Sequence, residues 1–326
     1  MIFDILFLIA GTIMLYYGAN LLVQGSASLA KIFGITPIVI GLTVVAFGTS
    51  APEIVVSVVS ALQDKSMIAV GNVVGSNICN IALVLGITAA IWPVECHRSV
   101  IRRDIPVMLG ISIYLFILSI DSHISRVEGA SLFAGLILYI FSNYYIATGK
   151  TSKTFEPQAA ITISEPVDNI KKKFVFKQIA LIIIGVLGVL AGAKLLIDAA
   201  VAIMKDAGVS EKFIGLTIVA FGTSLPELAT SVVAALKKQM DISLGNLVGS
   251  NVFNILSVLG IASLVRPINI KGGFFASGLF IDYLVMVFIS AMPLMLITKT
   301  YCVTRSNGLI LLLCYMTYFT YLIIKA

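Results

Sequence analysis

The sequence predicts an all-α membrane protein: ten transmembrane helices arranged as two inverted five-helix repeats, with helices 2 and 7 broken midway. Three observations predict this. The 326 residues are 59% hydrophobic and only 12% charged, with a mean hydropathy of +1.06. Apolar stretches of roughly 20 residues, each enough to cross a hydrocarbon core of about 30 Å, recur from end to end. One 46-residue stretch also occurs twice at a fixed offset.

A soluble domain of this length exposes far more charge. In lipid every backbone polar group must be satisfied within its own segment, so long apolar spans read as helices. In order, the spans are 2–30, 37–62, 68–92, 105–120, 127–147, 177–204, 211–236, 242–265, 277–298 and 307–325. The first begins at Ile2 with no basic stretch before it and no A-x-A site after it, so it reads as a span and not a cleaved signal. Residues 148–176 hold Lys150, Lys153, Lys171, Lys172 and Lys173 among Ser, Thr, Glu and Pro, and read as a mobile linker. The divisions are therefore a first repeat over 1–147, the linker over 148–176 and a second repeat over 177–326.

The net charge of +6 is spread over loops, which argues against a nucleic-acid surface. Of the 22 Lys and Arg, 14 fall in loops after odd-numbered spans, 7 lie on the opposite side and Lys194 lies within a span. The richer side is expected to be cytoplasmic. Both termini then face outward, the linker faces the cytoplasm, and the chain sits in the cell (inner) membrane. The four cysteines have no C-x-x-C spacing and read as small apolar fillers, neither disulfides nor zinc ligands.

Residues 41–86 and 215–260 align without a gap at an offset of 174, with 28 of 46 positions identical. The offset also pairs Gly11 with Gly185 and Gly18-Ala19 with Gly192-Ala193. Five spans per half is an odd number, so the second half enters from the other side and the repeat is inverted.

Each repeat carries G-T-S-x-P-E in the middle of a span: Gly48 to Glu53 and Gly222 to Glu227. Pro is tolerated in the first turn of a new helix, so each span reads as broken and restarted there. Ser50-x-x-Glu53 and Ser224-x-x-Glu227 also fit a capping box, in which Glu satisfies the cap's own N–H. A capping Gln would serve without the charge, whereas an ionised Glu at mid-membrane costs at least ~2.5 kcal/mol. A charge kept twice at that depth points to a cation partner. The second motif is G-N-x-x-G-S-N-x-x-N, at Gly71 to Asn80 in span 3 and Gly245 to Asn254 in span 8. Asn77 and Asn80, three apart, share a helix face, and Gly71-x-x-x-Gly75 permits close helix approach. These amides read either as glue between helices or as ligands. Hard cations such as Ca²⁺ take six to eight oxygens, which carboxylates, hydroxyls, amides and freed carbonyls supply. The only two histidines, His97 and His123, fall in loops, against a soft-metal site. Lys194 and Asp198, four apart in span 6, read as a neutralising intrahelical pair, and Asp282 as an interfacial residue.

Both motifs, found twice, resemble the alpha-repeats of the cation/calcium antiporter superfamily, specifically the prokaryotic sodium/calcium exchangers. The resemblance implies helices 2, 3, 7 and 8 around an ion site, with long helices 1 and 6 sliding past them. It implies calcium on Glu53 and Glu227 with the carbonyls of Thr49 and Thr223. Sodium would use the Ala46 and Ala220 carbonyls, the hydroxyls of Thr49, Ser50, Thr223 and Ser224, and Ser76 and Ser250. Asn80 and Asn254 would line the centre. Some members carry Asp at the position of Asn254, so this centre holds two carboxylates instead of three.

The expected function is sodium/calcium antiport by alternating access. The transported ions are Ca²⁺ and Na⁺, there is no organic cofactor, lipid is the surrounding partner, and a monomer suffices. A proton/calcium antiporter using the same glutamates is the nearest alternative. A channel would need no counter-ion. An enzyme is disfavoured because the duplicated Glu sites are alike, unlike an acid/base pair.

Overall fold

The computed structural model describes residues 2–149, 167–208, 220–297 and 301–325. The linker from 150 to 166 and the start of span 7, 211–219, lie outside the described residues. The protein is a helical membrane protein. Among the described residues seven helices are long and apolar enough to cross a bilayer, and a bent pair makes an eighth candidate.

α1 (Ile2–Phe33) and α7 (Val167–Asp206) are the longest helices, with 32 and 40 residues. At about 1.5 Å per residue both exceed the hydrocarbon thickness. α7 starts within the stretch read as linker, because the Lys-rich residues 171–173 continue the helix beyond the apolar span. The two helices meet through glycines. A Cβ added at Gly18 would lie 2.6 Å from Val189 N, one at Gly192 2.6 Å from Leu15 N, and one at Gly11 2.9 Å from Gly192 O. Only hydrogen fits at these positions. The Gly11–Gly192 contact maps onto Gly185–Gly18 under the sequence offset, since 11 + 174 = 185 and 192 − 174 = 18.

Span 2 is broken as the sequence predicts. α2 (Pro37–Thr49) and α3 (Ala51–Leu62) meet at an angle of 46°. Ser50 (φ −84°, ψ 8°) is the break, and Pro52 sits in the first turn of α3. The second repeat has the same break at Ser224 (φ −89°, ψ 3°), ahead of α8 (Leu225–Leu236). α4 (Ser66–Ile91) and α9 (Met240–Val265) are the core, with 72% and 83% of their apolar windows buried. Gly245 and Gly249 let α2 approach α9: added Cβ atoms would lie 2.8 Å from Ile38 O and 2.7 Å from Leu42 O. Gly71 and Gly75, their repeat partners, have no atom among the described residues within 4 Å. The positions matching Ile38 and Leu42 are 212 and 216, outside the described set.

α5 (Ile105–Leu118) is shorter than the other spans and is led in by a π-helical turn, Val100–Asp104. α6 (Arg126–Gly149), α10 (Leu279–Leu296) and α11 (Arg305–Lys325) complete the shell. The sequence reading contained no strands, yet two short antiparallel ribbons form. β1 (Val94–Glu95) pairs with β4 (Cys302–Val303), and β2 (His123–Ile124) with β3 (Ile268–Asn269). Pro93 and Pro267 explain β1 and β3. The residue before each proline is extended, Trp92 at φ −140° and Arg266 at φ −146°, so helix gives way to strand.

These ribbons show which loops share an end. At one end, the loop after span 3 meets those after spans 7 and 9 through β1–β4, His97 Nε2 to Asp241 Oδ1 (3.3 Å) and Lys238 over the Trp92 ring. At the other, the loop after span 2 meets that after span 8, with Asp64 Oδ1 3.3 Å from Arg266 Nη2. Odd and even loops thus segregate. The Asp64–Arg266 ion pair also maps onto Lys238–Trp92, since 64 + 174 = 238 and 92 + 174 = 266. One charged latch is replaced by a cation–π contact at the matching place.

Lys194 and Asp198 do not pair. Both are exposed on α7 and no ion pair joins them. Asp282 accepts from Tyr318 Oη at 3.1 Å in the first turn of α10.

Gly18→Val should lower the melting temperature of the detergent-solubilised protein, with overpacking costing about 1–3 kcal/mol. Gly110→Ala, where nothing lies within 4 Å, should leave it unchanged or slightly raised. Equal behaviour of the two variants would mean that the α1–α7 contact is not close-packed.

Candidate functional site

The two helix breaks bring their carboxylates into the core. Glu53 and Glu227 lie in the first turns of α3 and α8, where unsatisfied N–H groups favour negative charge. Both are fully buried and close enough for their charges to interact.

The capping box is not what these motifs form. Neither Ser50 nor Ser224 makes a side-chain cap bond. Ser50 Oγ instead donates across the molecule to Glu227 Oε1 at 3.0 Å. Ser250 Oγ donates to the same oxygen at 3.3 Å and lies 3.4 Å from Thr49 Oγ1. Thr49 Oγ1 donates to Asn246 Oδ1 at 3.0 Å. Ser76 is buried beside the Glu53 carboxylate. Asn80 and Asn254 are fully buried and face each other's repeat. Asn80 Nδ2 donates to Asn251 Oδ1 and Asn254 Nδ2 to Asn77 Oδ1, both at 3.1 Å.

The Ala46 carbonyl accepts from Ser50 N at 3.0 Å and from Thr49 Oγ1 at 3.3 Å. Ala220 opens the short helical turn Ala220–Gly222 before the second break, and Thr223 follows it. Every residue the sequence assigned to the site thus lies on the two breaks or on the facing stretches of α4 and α9.

The pattern of unmet hydrogen bonds singles out this place. Seven buried oxygens of the assigned residues have no hydrogen-bond partner: both carboxylate oxygens of Glu53, Oε2 of Glu227, Oδ1 of Asn80 and Asn254, Oγ1 of Thr223 and Oγ of Ser224. Buried acceptors left unpaired cost about 1–3 kcal/mol each, and charged ones more. Their convergence suits a group that accepts lone pairs, a cation or a proton. Among the described residues no cluster of three or more His, Cys, Asp or Glu could hold a metal. The donor set is two carboxylates with hydroxyls and amides, as hard cations prefer.

Two features escaped the sequence reading. Ser57 and Ser231 brace the site by accepting from Asn72 Nδ2 and Asn246 Nδ2, each at 3.0 Å. Their signal was present: both are identical across the repeat and stand one turn after the glutamates. The other is a π-helical turn in each core helix, Cys79–Leu85 and Asn254–Leu259, at the central asparagines. Such turns cluster at functional sites, but nothing in the residue pattern announces them.

The profile of the family described as "sodium/calcium exchanger protein" matches residues 3–145 and 177–324. The inner membrane protein YrbG of Escherichia coli K12 is 37% identical over 289 residues, 87% of this chain and 85% of that protein. The sodium/calcium exchanger MaX1 of Methanosarcina acetivorans is 29% identical over 344 residues, covering 97% of both. The solved structure of the sodium–calcium exchanger NCX_Mj, soaked with 10 mM Na⁺ and zero Ca²⁺, superposes with a TM-score of 0.81 at 34% identity over 97% of both chains.

The bonding is unequal: Ser50 holds a carboxylate oxygen, whereas Ser224 Oγ holds nothing. In buffer free of sodium and calcium, Ser50→Ala should lower the melting temperature more than Ser224→Ala, the lost charged bond being worth about 1.5–3 kcal/mol. Equal shifts would mean the inequality is not a property of the ion-free state.

Proposed function

The chain belongs to the cation/calcium antiporter superfamily, in its prokaryotic sodium/calcium exchanger branch, and from that premise we propose that it exports calcium against sodium by alternating access. The observation that carries this reading is the pair of buried carboxylates on two matching helix breaks, three of whose four oxygens have no donor. The reading assigns Glu53 and Glu227 to calcium, with the carbonyls of Thr49 and Thr223. It assigns the Ala46 and Ala220 carbonyls, the hydroxyls of Thr49, Ser50, Thr223 and Ser224, and Ser76 and Ser250 to sodium. Asn80 and Asn254 line the centre between them.

With both glutamates ionised the site carries a formal charge of −2. One Ca²⁺ neutralises it, and sodium ions spread over the same oxygens do so with a different spacing. The two loads therefore compete, and an unloaded site resists crossing a low-dielectric barrier because its charges are uncompensated. Obligatory exchange follows from that penalty. If the sodium load carries more charge than the calcium it replaces, an inside-negative potential favours export by ~2.3 kcal/mol per charge per 100 mV.

The architecture in this reading is ten spans in two inverted repeats, 1–147 and 177–326. The matching contacts at Gly11–Gly192 and Gly18–Gly185, and at Asp64–Arg266 and Lys238–Trp92, support it. The loops after odd-numbered spans, with the linker 148–176, face the cytoplasm, and both termini face outward across the cell membrane. All the donors come from one chain, so a monomer suffices. The glycine contact between α1 and α7 suits sliding past the core.

Glu53→Gln and Glu227→Gln should each abolish calcium uptake into sodium-loaded proteoliposomes, and uptake at the wild-type rate in either variant would refute the assignment. Sodium, potassium or protons supplied singly as counter-ion separate the rival readings. Uptake driven by sodium alone is expected. Uptake driven only by a pH step would make the protein a proton/calcium antiporter, and uptake with no counter-ion a channel.

A further inference from the structure

We propose that Asn77 and Asn251 are positioning residues: through bonds that cross between the repeats, each fixes which face of a central amide, Asn254 or Asn80, is turned to the cation. The inference rests on the cation-binding reading above and extends it to two residues outside the ligand set.

A primary amide has a donor face and an acceptor face, and a half-turn of its last torsion exchanges them. Beside a cation the oxygen attracts and the NH₂ repels. A central asparagine is therefore a ligand only if something holds its NH₂ elsewhere. In each repeat that restraint begins at a backbone carbonyl, which can only accept. Asn77 Nδ2 donates to the Asn251 carbonyl at 3.2 Å. That bond settles the orientation of the Asn77 amide, because the reverse would set oxygen against oxygen. Asn77 Oδ1 is then free to accept, and Asn254 Nδ2 donates to it at 3.1 Å. The NH₂ of Asn254 is thereby spent, and its Oδ1 is left without a protein partner.

The same chain runs the other way. Asn251 Nδ2 donates to the Asn77 carbonyl at 3.2 Å, and Asn80 Nδ2 to Asn251 Oδ1 at 3.1 Å, leaving Asn80 Oδ1 unpartnered. The residues correspond under the sequence offset, as 77 + 174 = 251 and 80 + 174 = 254. All four are fully buried, so water does not supply an alternative partner. Asn77 and Asn80 share a helix face, yet neither orients the other. Each is held from, or holds, the opposite repeat.

The test is a set of double-mutant cycles read as the apparent KM for calcium, and as calcium protection against thermal unfolding of the purified protein. Asn77→Ala and Asn254→Ala should each raise the KM about tenfold, the scale of one hydrogen bond to a charged group. The double variant should be no worse than Asn254→Ala alone, because no amide remains to orient. Asn77→Ala combined with Asn80→Ala should instead multiply the two effects. Asn251→Ala should show the reverse pattern, coupled to Asn80 and additive with Asn254. This second arm carries the test if Asn77→Ala does not fold. Additive effects within the crossed pairs, or a fall in stability and maximal rate with the KM unchanged, would overturn the proposal while leaving the cation site standing. A wild-type protein that neither binds nor transports calcium would overturn both.

Discussion

Two carboxyl groups lie where water does not reach, and three of their four oxygens face no donor. Burial of an ionised group in a low-dielectric interior is opposed by several kcal/mol unless a counter-charge is supplied. Among the described residues no Lys or Arg forms an ion pair with either glutamate. The remaining architecture serves to bring this uncompensated pair together and to keep it dry. The helix breaks at Ser50 and Ser224 place each glutamate on a first turn, where the backbone alone tolerates negative charge. The glycines of α9 admit α2 close enough for Thr49 and Ser50 to cross to the second repeat.

Polar atoms in this core are divided by task. The asparagine amides donate to protein groups: Asn72 and Asn246 to serines, Asn77 and Asn251 to carbonyls, Asn80 and Asn254 to one another's neighbours. Carboxylate and amide oxygens are left over, with the Thr223 and Ser224 hydroxyls. A helical interface glued only by amides would satisfy donors and acceptors equally. The unpaired carboxylate and amide oxygens are what the proposed cation site would require.

Much of this was legible in the residues because the repeat gives every motif a second copy. A single Ser-x-x-Glu reads as a cap, but two in mid-span do not. The break at Pro52 and the loops segregated by parity follow from composition and spacing. What escaped has a physical reason. The ribbons β1–β4 and β2–β3 are two residues long, too short for alternation to register. The π turns at Asn80 and Asn254 leave no signature in the residue pattern. Lys194 and Asp198 stand four apart as an ion pair should, yet no ion pair joins them.

The hydrogen bonding of the two repeats is unequal. Under the offset of 174, the bond from Ser50 to Glu227 corresponds to one from Ser224 to Glu53, and the bond from Thr49 to Asn246 to one from Thr223 to Asn72. The first member of each pair is made; in the second, Ser224 Oγ, Thr223 Oγ1 and both Glu53 oxygens have no partner. The sequences at these positions are identical in the two repeats, so chemistry does not choose between the members. In the exchanger reading proposed above, matching residues with unequal bonding would allow a second arrangement in which the two repeats exchange roles. In an inverted repeat that exchange also reverses the side from which the site is reached. Two states of comparable energy are what a carrier needs.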